Sequence, residues 1–281
     1  MENTFCSVDL ISVDLISETD FSSVFKIKEN DIFKARKIYF AKYKKYLKDE
    51  IEILVKLKGH KNIVKILDFS LANELSIDLE WLEEDLLKWV YKQDISDLKY
   101  ELKLKKILRQ ICEAIQFLHL NKVIHNDLKP ENIMIDKRGK IKLIDFGLSE
   151  IVTGICATKD CGSILYSSPQ KLSKLPFNCF SAEIWALGIC FYCLSFKKLP
   201  FNEEDLLLLS SNSKNSKYVK LEFGEPKRSN QLELLILNLL SFDPDKRFNI
   251  NEILDNSLWK ITKSKIFENI LIFDIKNIKK H

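Results

Sequence analysis

A change in hydrophobic pattern near residue 82 constrains the fold of this chain more than any other feature. Before it, short apolar runs rich in strand-forming residues predict about five strands, and apolar residues at helical spacing over 42–58 predict one helix. After it, helical spacing dominates, as over 102–120, 182–195 and 231–240. The sequence therefore predicts an α+β chain with a small sheet-containing part and a larger, mainly helical part.

Composition and charge exclude several classes of protein. Gly and Pro together make only 13 of 281 residues and 46% of the chain is hydrophobic, so neither a disordered nor a collagen-like chain fits. The net charge of +4 is too small to indicate nucleic acid as the main ligand. These properties favour a folded protein with a sizeable core.

Several features bear on where the protein is found. The N-terminus lacks the positive charge and apolar stretch of a secretory signal. The most apolar run, 184–196, is shorter than the ~20 residues that span a bilayer. The seven cysteines are scattered and odd in number, unlike a disulfide framework, and Cys190 and Cys193 lie in an apolar helical run that favours core packing over metal binding. We expect an intracellular protein, cytoplasmic or nuclear, without a membrane partner.

Four polar residues between apolar, strand-like runs carry the chemistry. Lys129 follows Asp127 by two residues and Asn132 follows it by five, while Asp145 comes directly after a second apolar run. Phosphoryl transfer needs a carboxylate to accept the proton of the incoming hydroxyl, a cation beside the transferred group, and hard oxygen ligands for a metal ion. We assign these tasks to Asp127, to Lys129, and to Asn132 with Asp145.

The string His-x-Asp-Leu-Lys-Pro-Glu-Asn at 125–132, followed by Asp-Phe-Gly at 145–147, resembles the catalytic core of eukaryotic protein kinases. Lys129 is similar to the residue of the serine/threonine branch. Further landmarks follow in the order of that family: Cys-Gly-Ser at 161–163, Ser-Pro-Gln at 168–170, Glu-x-Trp-x-Leu-Gly at 183–188, Leu-Pro-Phe at 199–201 and Asp-Pro-x-x-Arg at 243–247. The Cys-Gly-Ser and Leu-Pro-Phe strings resemble the calmodulin-dependent and nutrient-sensing group.

The resemblance implies a two-lobed protein kinase fold over 8–259. Its small lobe, a five-stranded sheet with a helix, is expected over 8–82, its larger and mainly helical lobe over 83–259, and a C-terminal tail over 260–281. ATP and Mg²⁺ are the implied cofactors, and protein substrates are the implied partners. The sequence does not indicate a regulatory partner.

The resemblance also implies a set of nucleotide-binding residues. Lys37 looks like the family's strand-three lysine that binds the α- and β-phosphates, and Glu50 looks like its ion-pair partner. Glu80 and Leu82 resemble the hinge that binds adenine through its backbone. Ser163 is placed to bond both Asp127 and Lys129. The implied ATP-binding residues are Ile16, Ser17, Val24, Ala35, Lys37, Glu50, Glu80, Leu82 and Met134.

The loop that covers the phosphates departs from the family pattern because it contains no glycine. Ser17, Thr19 and Ser22 occupy the three glycine positions, and all seven glycines lie at position 59 or later. Glycine lets backbone N–H groups approach phosphate without interference from a Cβ. We therefore expect weaker or slower nucleotide binding than in relatives with a glycine-rich loop.

Four other positions depart from the pattern. Asn126 replaces the Arg that receives the activation-loop phosphate in many family members, and Lys159 occupies the usual phosphorylation position, so we expect no switching by phosphorylation there. Gln170 stands where a Glu pairs with the buried Arg247, which predicts a less stable large lobe. Glu183 replaces an Asp that braces the catalytic loop.

Two other functions stay open. The missing glycines, Asn126 and Gln170 favour a pseudokinase that acts as a nucleotide-binding or scaffolding module, although the intact Asp127 and Asp145 favour an enzyme. A small-molecule kinase also has an Asp and a downstream Asn, but that class lacks the Lys-Pro-Glu string at 129–131 and the segment 161–170. The interpretation with most support is a serine/threonine protein kinase.

Overall fold

The computed structural model describes residues 12–260 except 30, 73, 157–161, 175 and 212–219. A five-stranded antiparallel sheet forms the first part, in the order β1-β2-β3-β5-β4. Its strands are β1 (Ser12–Glu18), β2 (Ser22–Glu29), β3 (Ile32–Tyr39), β4 (Ile66–Leu71) and β5 (Leu75–Glu80). Helix α1 (Lys44–Lys56) packs against β4 and β5. The predicted five strands and one helix are confirmed.

Alternation along β3 sends its cationic side chains to opposite faces of the sheet. Lys34 and Arg36 bind Asp78 on the neighbouring strand, with Lys34 Nζ 2.7 Å from Asp78 Oδ2 and Arg36 Nε 2.6 Å from Asp78 Oδ1. Because successive side chains of a strand point to opposite faces, Lys37 and Tyr39 turn toward α1 instead. The period of the strand thus separates Lys37 from its basic neighbours.

Helices are the main regular structure of the second part, as predicted. They are α2 (Leu86–Tyr91), α3 (Leu98–Leu120), α4 (Pro169–Leu172), α5 (Cys179–Phe196), α6 (Glu203–Ser210), α7 (Asn230–Leu239) and α8 (Ile250–Leu254). Asp or Asn side chains cap the N-termini of α2, α3, α5, α6 and α8. Helix α5 is apolar on every side and almost completely buried, so it is the central core helix of this part.

Among the described residues, α5 alone has the length and apolar composition of a membrane-crossing helix. Most of it, 83%, is buried inside the protein, which is how the core helix of a folded domain behaves. Cys190 and Cys193 are free, buried thiols within it, as predicted for core packing. Cys179 at its start is disulfide-bonded, which the scattered cysteine pattern did not indicate.

Short strands pair the loops of the second part with one another. Strands β6 (Glu84–Asp85), β8 (Ile133–Ile135) and β9 (Ile141–Leu143) form a three-stranded sheet. Strand β7 (Val123–Ile124) pairs with β10 (Glu150–Ile151), and β11 (Ile155–Cys156) pairs with β12 (Phe177–Asn178). The β8–β9 hairpin brings the residues just before and just after it together, because the Ile144 N–H donates to the Asn132 carbonyl at 3.0 Å.

Arg247 is held without a carboxylate partner at position 170. Its guanidinium donates to Gln170 Oε1 at 2.6 Å and to the carbonyl oxygens of Ser241 and Ser181 at 2.7 and 3.1 Å. Burial lowers the pKa of Arg247 to about 10. Neutral acceptors therefore satisfy the guanidinium, which limits the loss of stability that the sequence predicts for this substitution.

Gly188 lies where α5 packs against the end of α7. A Cβ at this position would lie 2.8 Å from Leu240 Cδ2 and 2.9 Å from Leu239 Cβ. We expect Gly188→Val to lower the free energy of unfolding by about 1–3 kcal/mol through overpacking. Gly224→Ala is the control, because its Cβ would meet only the flexible end of Lys198, and a change within about 0.5 kcal/mol is expected. Denaturant unfolding of both variants checks this, and equal midpoints would contradict it.

Candidate active site

Lys37 lies between two carboxylates that come from different parts of the chain. Its Nζ is 3.2 Å from Glu50 Oε2 on α1 and 2.7 Å from Asp145 Oδ1 just after β9. Lys37 and Glu50 are buried, with 8% and 1% of their surface exposed, whereas about half of the Asp145 side chain is open. The ion pairs join the sheet, α1 and the loop after β9 at one point.

The charges of this cluster reinforce each other. The positive charge of Lys37 is the main reason that the pKa of Asp145 falls to about 2. Burial by itself would lower the pKa of Lys37, but Asp145 and Glu50 outweigh burial and hold that pKa well above its ordinary value. Lys37 is therefore a cation and Asp145 an anion across the physiological pH range.

Tyr39 is a third partner of Glu50 that the sequence analysis missed. Its hydroxyl donates to Glu50 Oε2 at 2.5 Å, and the Phe146 N–H donates to Glu50 Oε1 at 3.1 Å. The close approach needs Gly147, where a Cβ would lie 2.8 Å from the Tyr39 hydroxyl and 2.9 Å from Lys37 Nζ. The signal in the sequence was period-two alternation, which puts Tyr39 on the same face of β3 as Lys37.

Asp127 accepts hydrogen bonds from three residues. Ser163 donates to Asp127 Oδ1 through its N–H at 2.8 Å and its hydroxyl at 2.9 Å, and Lys129 Nζ lies 2.8 Å from Asp127 Oδ2. Lys129 Nζ also donates to Ser163 Oγ at 2.8 Å, so Ser163 bonds both residues in the way the sequence predicts. The Asn132 amide donates to Asp127 Oδ2 at 3.0 Å. These four residues form one network.

The same contacts decide the charge of Asp127. Burial raises its pKa, but the hydrogen bonds and charge of Lys129, together with Ser163, outweigh burial, and the pKa lies below its ordinary value. Asp127 is therefore ionised near neutral pH. An ionised carboxylate can orient a hydroxyl group and accept its proton.

Glu183 accepts hydrogen bonds from the backbone of the loop that carries Asp127. Its Oε1 accepts the N–H groups of His125 at 2.5 Å and Asn126 at 3.2 Å, and its Oε2 lies 2.8 Å from His119 Nε2. Glu183 thus binds the backbone of this loop, the task that the resemblance assigns to an Asp at this position. His125 is fully buried, packs against Phe146 and contacts the Ile144 carbonyl through Nε2, as expected for a packed loop residue.

Asn132 and Asp145 are the residues that could hold Mg²⁺. The Ile144 N–H donates to the Asn132 carbonyl, which places Asn132 beside the residue that precedes Asp145. The Asn132 amide nitrogen donates to Asp127, so its amide oxygen is the atom that could bind a metal. The described residues contain no group of three or more His, Cys, Asp and Glu side chains suited to a metal. Two hard oxygen donors still fit Mg²⁺, which usually binds through one or two protein oxygens together with phosphates and water.

The residues assigned to adenine and ribose lie on neighbouring strands and the connection that follows them. Pairing sets Val24 opposite Lys37 and Ala35 opposite Leu79, so both lie in the part of the sheet that carries the ion pairs. Ile16 and Ser17 lie in β1, Val24 in β2, Ala35 in β3, Glu80 at the end of β5, Leu82 just after it, and Met134 in β8. Their roles stay predictions from the resemblance.

The loop between β1 and β2 satisfies its own backbone. Thr19 Oγ1 accepts the N–H groups of Phe21 at 3.3 Å and Ser22 at 3.2 Å, and the Thr19 N–H donates to the Ser22 carbonyl. The Phe21 ring packs 4.8 Å from Tyr43 and 5.6 Å from Tyr46 at the start of α1. The Thr19 hydroxyl therefore occupies the N–H groups of Phe21 and Ser22 in the loop that the resemblance assigns to phosphate binding.

The sheet-containing part, the mainly helical part and the two charged clusters between β3 and the loop at 123–132 define a class of protein with a small and a large lobe. Residues 12–259 match the family model described as the protein kinase domain. The chain belongs to the protein kinase family.

Curated relatives agree with this assignment. The carbon catabolite-derepressing protein kinase of Saccharomyces cerevisiae is 29% identical over 74% of this chain and 32% of its own length. The NUAK family SNF1-like kinase 2 of Homo sapiens is 32% identical over 74% of this chain and 32% of its own length. The CBL-interacting serine/threonine-protein kinase 12 of Arabidopsis thaliana is 31% identical over 76% of this chain and 43% of the relative. The chain thus spans about a third of the length of the first two, and the resemblance to the serine/threonine branch and its nutrient-sensing group is confirmed.

Removal of the Tyr39 hydroxyl tests its contact with Glu50. We expect Tyr39→Phe to lower the free energy of unfolding by about 1–3 kcal/mol, because a buried carboxylate loses a hydrogen-bond donor. Tyr46→Phe removes the same atom from a half-exposed ring and should change it by less than about 0.5 kcal/mol. Denaturant unfolding measures both, and a Tyr39→Phe protein as stable as the wild type would contradict the role of this hydroxyl.

Thr19 offers a test of the phosphate-covering loop. Thr19→Ala frees the N–H groups of Phe21 and Ser22, and we expect the Kd for ATP to fall by about threefold to tenfold, part of the value of a hydrogen bond to a charged group. Thr19→Ser keeps the hydroxyl and should bind ATP like the wild type. Titration with a fluorescent ATP analogue distinguishes the two, and unchanged or weaker binding by Thr19→Ala would count against the idea.

Proposed function

We propose that this protein transfers the γ-phosphoryl group of ATP to a Ser or Thr hydroxyl of a protein substrate. The observation that carries the proposal is the network in which Ser163, Lys129 and Asn132 surround the ionised carboxylate of Asp127. The Lys37–Asp145 ion pair supports it, since it combines a cation for phosphate with a metal-binding carboxylate.

Each charged residue then has one task. Lys37, oriented by Glu50, binds the α- and β-phosphates, and Asn132 and Asp145 would hold Mg²⁺, which supplies positive charge to the phosphate oxygens. Asp127 orients the substrate hydroxyl and takes its proton. As the hydroxyl oxygen bonds to the γ-phosphorus, the bond to the β–γ bridging oxygen breaks and ADP leaves. Lys129 stabilises the negative charge that develops on the transferred group.

Three observations support a serine or threonine acceptor. Lys129 resembles the residue of the serine/threonine branch, and a matched relative is by name a serine/threonine-protein kinase. The hydroxyl of Ser163 also lies between Asp127 and Lys129, 2.9 and 2.8 Å away. An aliphatic hydroxyl is thus compatible with this position beside the carboxylate.

A pseudokinase is the second candidate, and one observation favours it. Thr19 occupies two N–H groups of the phosphate-covering loop, and this contact must break before those groups can bind phosphate. In that case the protein would bind a nucleotide or a partner protein without transferring phosphate. The two candidates differ in turnover and not in fold.

Asp127→Asn separates the two candidates. We expect it to lower the transfer of radiolabelled phosphate from ATP to a mixture of Ser- and Thr-containing proteins by about 10²–10⁴-fold, because the amide cannot accept the hydroxyl proton. Its Kd for ATP should stay close to that of the wild type. Asp68→Asn, an exposed position on β4, is the matched control and should label substrates normally.

Equal labelling by the wild type and Asp127→Asn would leave only background and would favour the pseudokinase. Labelling of sugars or aminoglycosides in place of proteins would move the assignment to a small-molecule kinase. Loss of labelling in Asp127→Asn with intact ATP binding supports the proposed reaction.

A further inference from the structure

We propose that Lys171 is a positioning residue that holds the catalytic loop, residues 125–132, through Asn126. This contact needs no phosphate on the activation segment, residues 148–167. This inference rests on the proposed function and names how the same site is kept in order. Lys171 lies on α4, 45 residues from Asn126, and its Nζ donates to Asn126 Oδ1 at 2.7 Å. A second contact to the Asn126 carbonyl is 3.4 Å long.

Asn126 connects three segments through one small side chain. Its Oδ1 accepts from Lys171, while its Nδ2 donates to the Leu148 carbonyl at 3.2 Å and to Glu150 Oε1 at 3.5 Å. Leu148 and Glu150 follow the Asp-Phe-Gly sequence, and Asn126 immediately precedes Asp127. The amide thus links the catalytic loop to α4 and to the start of the activation segment.

The chemistry of Asn explains why no phosphate is needed for this link. The family resemblance implies an Arg at this position, and a guanidinium has donors only, so it could not accept a hydrogen bond from Lys171. Asn is neutral and has an acceptor oxygen, so the ammonium group of Lys171 binds it directly in a charge-assisted hydrogen bond. Asn also tolerates the left-handed backbone observed at position 126, where φ is 70°. Both partners are encoded in the chain.

The end of the activation segment packs against the contact between Lys171 and Asn126. A Cβ on Gly162 would lie 2.5 Å from the Asn126 carbonyl and 3.5 Å from both Lys171 Nζ and Asp127 Oδ1. Gly162 has a φ of 81°, and the next residue, Ser163, donates two hydrogen bonds to Asp127. Lys171, Gly162 and Ser163 therefore pack on the residues that position the catalytic carboxylate, and loss of Lys171 would loosen one side of that packing.

The experiment uses the full chain, treated with phosphatase and shown by intact mass to carry no phosphate. Lys171→Met removes the ammonium group and Lys171→Arg keeps a cationic donor. Lys137→Met, at an exposed position between β8 and β9, controls for the loss of one positive charge. The readouts are kcat, the KM for ATP, the Kd for an ATP analogue and amide hydrogen exchange across 122–132.

We expect the dephosphorylated wild type to turn over substrate and Lys171→Met to lose about tenfold in kcat, the equivalent of one hydrogen bond to a charged group. The Kd for the ATP analogue should stay within about twofold, since the phosphate ligands are untouched. Hydrogen exchange across 122–132 should become faster in Lys171→Met, while Lys171→Arg should recover most of both properties. Lys171→Met should add little in an Asn126→Ala background, because the pair acts as a unit.

Three results would overturn the inference. They are loss of turnover on phosphatase treatment of the wild type, unchanged kcat and exchange in Lys171→Met, and full additivity of Lys171→Met with Asn126→Ala. If the wild type binds the ATP analogue but transfers no phosphate under any condition, the proposed function is wrong, but the inference about Lys171 is not yet contradicted. Hydrogen exchange and its double-mutant comparison then decide the inference by themselves.

Discussion

Three charged side chains meet where β3, α1 and the loop after β9 come together, two of them buried and Asp145 half open, and the site depends on their attraction. Burial of Lys37 or Glu50 alone would be costly, because a charge taken out of water needs a partner. Each is paired, and Asp145 adds a second anion beside Lys37. A shift of α1 would separate the buried Glu50 from Lys37, and a shift of the Asp-Phe-Gly loop would separate Asp145 from Lys37, so these ion pairs connect the small part to the large part.

Residues that depart from the family pattern form hydrogen bonds with groups that lie close to them in this structure. Arg247 uses Gln170 and backbone carbonyls, and Glu183 reaches the N–H groups of the catalytic loop with its longer side chain. The loop without glycine closes on the Thr19 hydroxyl. In each case the polar groups at a position that departs from the family pattern have a hydrogen-bond partner, which is the condition for burying them.

Much of the fold could be predicted because its signals are local. Strand and helix periodicity predicted the five-stranded sheet, α1 and the helical second part, and the short spacings among Asp127, Lys129 and Asn132 placed three side chains on one loop. Tyr39, Lys171 and the disulfide of Cys179 were missed. Tyr39 lies 11 residues from Glu50 and Lys171 lies 45 residues from Asn126, so no local pattern connects these partners.

The order of residues by itself determined which side chains can do the chemistry, since Asp127, Asn132, Asp145 and Lys37 are defined by short motifs and by strand period. Only the tertiary structure decided what orients them. Hydrogen bonds from Tyr39 and Lys171 depend on how β3 packs on α1 and how α4 packs on the catalytic loop. The reason is physical: a motif specifies neighbours along the chain, whereas a buried carboxylate or amide is satisfied by whichever donor the packing brings within about 3 Å.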